Sequence, residues 1–215
     1  MCGGGRYGYS SHYPSHSPSA YSPSTYQTPR TRTGVSSRNS RPHWSSSSST
    51  VVYTASEVRA LSPIRKSIEE QGLRPDKYDV FLCHAWDDRR ETAKELNDAL
   101  ERVGVSVWFS ENAVLLGSNL MREIDKGLSK SRAGLVLVTK SFIKRIKAEG
   151  VADKELSALL ARDLLVPIVH GVTYDDLREE SPLLASRSGL DTADDTMEEI
   201  ATKISELVST DAFSD

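Results

Sequence analysis

The chain has 215 residues and a formal charge of −3, with 27 Lys and Arg against 30 Asp and Glu. That near-balance hides a division: residues 1–50 carry five Arg and no Lys, Asp or Glu, so the remainder is strongly acidic. No stretch approaches the roughly 18 apolar residues of a membrane span, no apolar h-region follows the first Met, and Cys2 and Cys83 form neither a disulfide framework nor a zinc pattern. A cytoplasmic protein with no membrane partner and no metal is the expectation.

Residues 1–50 hold 15 Ser, five of the eight Tyr and five of the nine Pro, with no Leu or Ile and one Val. Such a segment buries too little apolar area to offset its chain entropy, and residues 1–55 read as a disordered tail. Gly3-Gly4-Gly5-Arg6-Tyr7-Gly8 matches G-x-G-x-x-G, but no strand precedes it and no helix follows, so it is not a dinucleotide loop. The Tyr, Arg and Ser mixture could stack on nucleic acid or on itself. Composition favours a solvated tether, and nucleic acid is not an expected partner. Residues 56–77 read as a linker with a short helix, capped by Ser62, opened by Pro63 and stopped by Gly72. On that reading a chain beginning near Ser56 keeps its fold.

From Tyr78 the pattern alternates. Tyr78–Cys83 is an apolar run of buried-strand type, and Arg90–Val103 places Ala93, Leu96, Leu100 and Val103 at helical spacing before Gly104. Val105–Phe109 reads as a second strand, with Trp108 and Phe109 facing opposite sides of the sheet. A loop containing Gly117 leads to a helix over Asn119–Leu128, and Gly134–Thr139 is a third strand. After an irregular stretch come a helix over Asp153–Leu164, a fourth strand at Leu165–Val169, and a polar region. A short extended piece at Ser188–Leu190 and a helix over Thr196–Val208 end the pattern; residues 209–215 form a C-terminal tail. Alternating elements with fully apolar strands indicate one α/β domain over residues 78–208, a doubly wound five-stranded parallel sheet covered on both faces.

In such a sheet, ligands sit beyond the carboxyl ends of strands, where the strand order reverses. With the order 2-1-3-4-5, that crevice lies between strands one and three, lined by Cys83–Asp88 and Thr139–Ser141. A phospho-receiver domain needs an Asp where Thr139 stands. A flavodoxin needs a hydroxyl- and Gly-rich loop where Cys83-His84-Ala85-Trp86-Asp87-Asp88 stands. Both fit poorly.

Tyr78-Asp79-Val80-Phe81-Leu82-Cys83-His84-Ala85 resembles the first box of TIR (Toll/interleukin-1 receptor) domains. Gly104–Phe109, followed by a loop ending Leu116-Gly117-Ser118-Asn119-Leu120, is similar to that family's second strand and BB loop. Ile124–Ser131, Val138–Phe142, Val166–His170 and Ser181–Ala185 resemble later segments, the last two as in bacterial stand-alone members. Glu155-Leu156-Ser157-Ala158-Leu159-Leu160-Ala161-Arg162 is similar to the helix bearing the family's catalytic glutamate. Each box alone is weak; their joint order and spacing carry the resemblance.

The resemblance implies a TIR fold of flavodoxin-like topology. It also implies hydrolysis or cyclisation of NAD+, in signalling or antiphage defence. NAD+ enters as substrate, with no separate cofactor. Self-association through TIR domains and the BB loop is implied too, and other TIR proteins are candidate partners. Glu155 is then the catalytic residue, and Cys83, His84, Ala85, Trp86, Glu111 and Gly117 are the candidate nucleotide-binding residues. Nicotinamide leaves its ribose as a neutral molecule, so one carboxylate stabilising the ribosyl cation suffices in kind, unlike the paired carboxylates of O-glycosidases. A ring at His84 or Trp86 could stack on nicotinamide or adenine, while Gly117 serves backbone conformation. The alternative implied role is a non-catalytic TIR–TIR scaffold. Val151, four residues before Glu155 where many active relatives carry Trp, favours that alternative.

Overall fold

The computed structural model describes residues 41–72, 74–109, 120–149 and 161–209, with Gly5 and Gly8. The chain divides into two units, Met1–Ser36 and Ser37–Asp215, and everything from residue 41 onward belongs to the second. Among the described residues no helix is long and apolar enough to cross a membrane. The disordered tail expected at the N-terminus lies mostly outside the described residues, as does the segment after residue 209.

Strand β1 (Tyr78–Cys83) pairs in parallel with β2 (Val107–Phe109) and with β3 (Ser131–Val138). On the far side, β3 pairs with β4 (Leu165–Val169) and β4 with β5 (Leu190–Asp191), again in parallel. The resulting order, β2-β1-β3-β4-β5, is the expected doubly wound one. Side chains alternate across the sheet. Val80, Leu82, Leu135 and Leu137 face one core, while Phe81, Cys83, Val136 and Val138 face the other. The second core is closed by helix α3 (Leu120–Lys130) and by α4 (Lys140–Glu149), through Ile124, Leu128, Phe142 and Ile146. Phe81 sits so tightly there that a Cβ built on Gly127 or Gly134 would lie 2.4 or 2.3 Å from its ring. Both positions therefore exclude a side chain.

The first core holds α2 (Thr92–Arg102) and the C-terminal helix, which runs over Met197–Val208. It also holds a helix that the sequence reading had begun too late. Helix α1 spans Ala55–Gln71 and buries Leu61, Ile64 and Ile68, joined by Trp44 and Tyr53, which are 2% and 1% exposed. Its cap is Thr54, not Ser62: the Thr54 hydroxyl accepts from the Glu57 amide while the Glu57 carboxylate accepts from the Thr54 amide. Pro63 lies inside the helix, and the Ser62 hydroxyl donates to the Val58 carbonyl at 2.6 Å. Gly72 does end it, at φ +64. Residues 56–71, expected as a linker, thus contribute core, and so do Trp44 and Tyr53, which lie in the stretch expected as disordered tail.

Other boundaries moved as well. The helix α4 occupies what read as an irregular stretch, because Phe142 and Ile146 put one apolar stripe on an otherwise cationic segment. The polar region after β4 contains α5 (Tyr174–Glu180), capped by Thr173, and a single turn α6 (Pro182–Ala185), capped by Ser181. The C-terminal helix is accordingly α7. Of the helix expected over Asp153–Leu164, residues 161–163 form a turn with Asp163 at φ 48, Leu164 is irregular, and the rest lies outside the described residues.

Candidate functional site

The reversal of strand order falls between β1 and β3, whose carboxyl ends are Cys83 and Val138. The side chains of Cys83 and Ala85 are 5% and 3% exposed and pack into the second core, so what they offer a ligand is backbone. His84 is 3% exposed; its ring stacks on Phe109 with centroids 5.0 Å apart, and its Nδ1 lies 3.2 Å from the Leu82 carbonyl. Burial pushes its pKa below the ordinary histidine value, with Arg145 and Arg89 adding to the effect and the Leu82 bond and Asp88 opposing it. His84 is therefore a neutral, closed-in ring. Of the two rings expected to stack on the nucleotide, His84 is thus enclosed and Trp86 is half-buried.

Trp86 opens a single 3-10 turn, Trp86–Asp88. The guanidinium of Arg89 lies 3.5 Å over its ring and donates through Nη1 to the Trp86 carbonyl at 2.8 Å. Asp88, half-buried, accepts from the Thr139 hydroxyl at 2.5 Å, and that hydroxyl also accepts from the Phe142 amide in the first turn of α4. Strand-one loop and strand-three helix are thereby tied together across the crevice. A second tie comes from Arg145 of α4, 10% exposed. It pairs with Glu123 of α3 at 2.9 Å and donates to the His84 carbonyl at 3.4 Å.

Glu155, Glu111, Gly117 and Val151 lie outside the described residues, so the structure neither joins them to this cluster nor separates them from it. His170, at the end of β4, bonds through Nδ1 to the Thr192 hydroxyl at 3.0 Å, a structural contact. Among the described residues no group of three or more His, Cys, Asp or Glu could hold a metal ion. Arg89, Glu123 and Arg145 were not picked out from the sequence. Only Arg89 had a signal there, its three-residue spacing from Trp86, which a 3-10 turn brings into register. The Glu123–Arg145 pair joins two helices and has no local signature.

The family model for the TIR domain matches residues 80–208. The chain is 33% identical over 137 residues to the 2′ cyclic ADP-D-ribose synthase AbTIR of Acinetobacter baumannii, covering 61% of this chain and 49% of that protein. It is 37% identical over 116 residues to the NAD(+) hydrolase TcpA of a Theionarchaea archaeon, covering 52% of this chain and 34% of that protein. A third relative, the 2′ cyclic ADP-D-ribose synthase BtTIR of Bacteroides thetaiotaomicron, is 32% identical over 136 residues, covering 61% and 46%. The chain thus spans half the length or less of these curated relatives.

Proposed function

Because this chain belongs to the TIR domain family, we propose that it cleaves the glycosidic bond between nicotinamide and ribose in NAD+. The observation that carries this reading is its likeness to proteins named for NAD+ hydrolysis or for synthesis of a cyclic ADP-ribose. The crevice between β1 and β3 supplies a half-buried aromatic, a cation stacked on it and a carboxylate fixed by a hydroxyl. Those groups suit a nucleotide.

In the chemistry proposed, the C–N bond breaks with its electron pair going to the pyridinium ring, and nicotinamide leaves neutral. The ribose carbon takes on cationic character, which the Glu155 carboxylate stabilises. Water then adds and loses a proton to give ADP-ribose, or an internal hydroxyl adds to give a cyclic isomer. NAD+ is substrate here, and the bond cleavage itself calls for no further cofactor. Nucleotide contacts are read at the backbone of Cys83, His84 and Ala85, the ring of Trp86, and Glu111 and Gly117 of the loop after β2. Neighbouring domains associating through that loop would order it, and a cytoplasmic location matches the substrate. Incubating the purified chain with NAD+ and separating the products by chromatography tests the reading. Nicotinamide should appear in equal amount with ADP-ribose or its cyclic isomer. Intact NAD+ after prolonged incubation of a concentrated sample would leave the scaffold role that Val151 favours.

A further inference from the structure

Arg89 uses only part of its hydrogen-bonding capacity. Nη1 is engaged by the Trp86 carbonyl and the plane rests on the Trp86 ring, but among the described residues the Nε–Nη2 edge meets no partner and no carboxylate pairs with the guanidinium. That edge is the one that takes two oxygens of a phosphate side by side. Its orientation is already fixed by the stack, so little rotamer freedom remains to be lost on binding. Arg90 and Lys140 stand exposed beside this turn and beside Thr139, and their positive charge adds to the pull on an anion.

The neighbouring residue has the complementary chemistry. One Asp88 oxygen is held by the Thr139 hydroxyl, which locks the carboxylate at the mouth of the crevice. Its second oxygen has no partner among the described residues. A carboxylate oxygen accepts a hydroxyl proton well and repels phosphate, so two adjacent side chains divide the recognition of a sugar diphosphate between them.

We propose that the turn Trp86–Arg89 is the diphosphate–ribose subsite of the crevice, with the open edge of Arg89 on the diphosphate and the open oxygen of Asp88 on a ribose hydroxyl. This rests on the NAD+-cleaving reading above and gives that reading a binding determinant separate from Glu155. Arg89 and Asp88 act in affinity rather than in bond cleavage, so substitutions there raise KM and leave kcat largely in place.

The test is binding of ADP-ribose and of inorganic pyrophosphate to the full chain by titration calorimetry, with thermal melts confirming that each variant is folded. Arg89→Ala should weaken both ligands by about tenfold to a hundredfold, the usual effect of losing a hydrogen bond to a charged group. It should also flatten the loss of ADP-ribose affinity with added salt. Arg89→Lys, which keeps the charge and loses the fork, should fall between wild type and Arg89→Ala. Asp88→Asn should weaken ADP-ribose several-fold and leave pyrophosphate unchanged or tighter. Wild-type affinity for ADP-ribose in Arg89→Ala and Asp88→Asn, in a chain that still cleaves NAD+, overturns the subsite while the reaction stands. A wild-type chain that neither binds ADP-ribose nor cleaves NAD+ overturns both.

Discussion

At the end of β1 the His84 ring lies against Phe109 and out of water, which lowers its pKa. Below about pH 6.5 the unfolded chain takes up a proton on this residue that the folded chain resists. Stability from a neutral buried His84 is therefore fully present above that value and is lost as the pH falls beneath it. Acidification from pH 7 to pH 5 should lower the melting temperature of the wild type more than that of His84→Asn, as read by scanning calorimetry. Parallel pH profiles would contradict the neutral, buried assignment. Glu123 makes a related point about what a sequence conceals. It and Glu101 both lie on helices with no local mark to separate them, yet Glu123 is 15% exposed and bonded to Arg145, whereas Glu101 is open to solvent. Pairing across two helices cannot be seen from either helix alone.

Helix α1 is bound to α7 by charge as well as by apolar packing. The ammonium of Lys203, 1% exposed, donates to Glu57 at 2.8 Å and to Asp195 at 2.6 Å. Arg65, equally buried, donates to the Leu207 carbonyl at 2.9 Å and to the Ser209 carbonyl, satisfying the last turn of α7. Tyr53 adds a hydroxyl bond to Glu206 at 2.8 Å, and burial pushes its pKa up so that it keeps its proton. A chain beginning at residue 41 should therefore melt with the full-length protein. One beginning at Ser56 loses Trp44, Tyr53 and the Thr54 cap, at a cost of at least about 4 kcal/mol, or roughly 8–16 °C in Tm. Equal melting temperatures would show that α1 needs none of them. Strands β1 and β4 lie where the sequence put them, because each is a short, mostly apolar run. The start of α1 was signalled by Thr54-x-x-Glu57, a pattern outweighed by the Pro63 nearby. Helix α4 was hidden because three Lys and one Arg in ten residues obscure the short apolar stripe of Phe142, Ile143 and Ile146. The crevice followed from topology, but its contents did not. Burial of His84 and the posture of Arg89 are set by Phe109 and by a local 3-10 turn.

Over the whole molecule, an Arg-bearing, carboxylate-free first segment is joined to an acidic body. If neighbouring domains order one another's crevice through the loop containing Gly117, nicotinamide release per molecule should rise with protein concentration, and Gly117→Pro should suppress that rise. Specific activity constant over a hundredfold dilution of an active sample would count against assembly control. In the proposed reaction one carboxylate, that of Glu155, stabilises a ribosyl cation, and removing its charge without its shape isolates that role. Glu155→Gln and the surface control Glu101→Gln should be compared with wild type for nicotinamide release, in concentrated samples matched by thermal melting. Losing one such electrostatic contact typically slows turnover by about 100–1,000-fold. We therefore predict near-background release from Glu155→Gln, with wild-type rates for Glu101→Gln and unchanged melting for both. Wild-type turnover by folded Glu155→Gln would contradict the assignment.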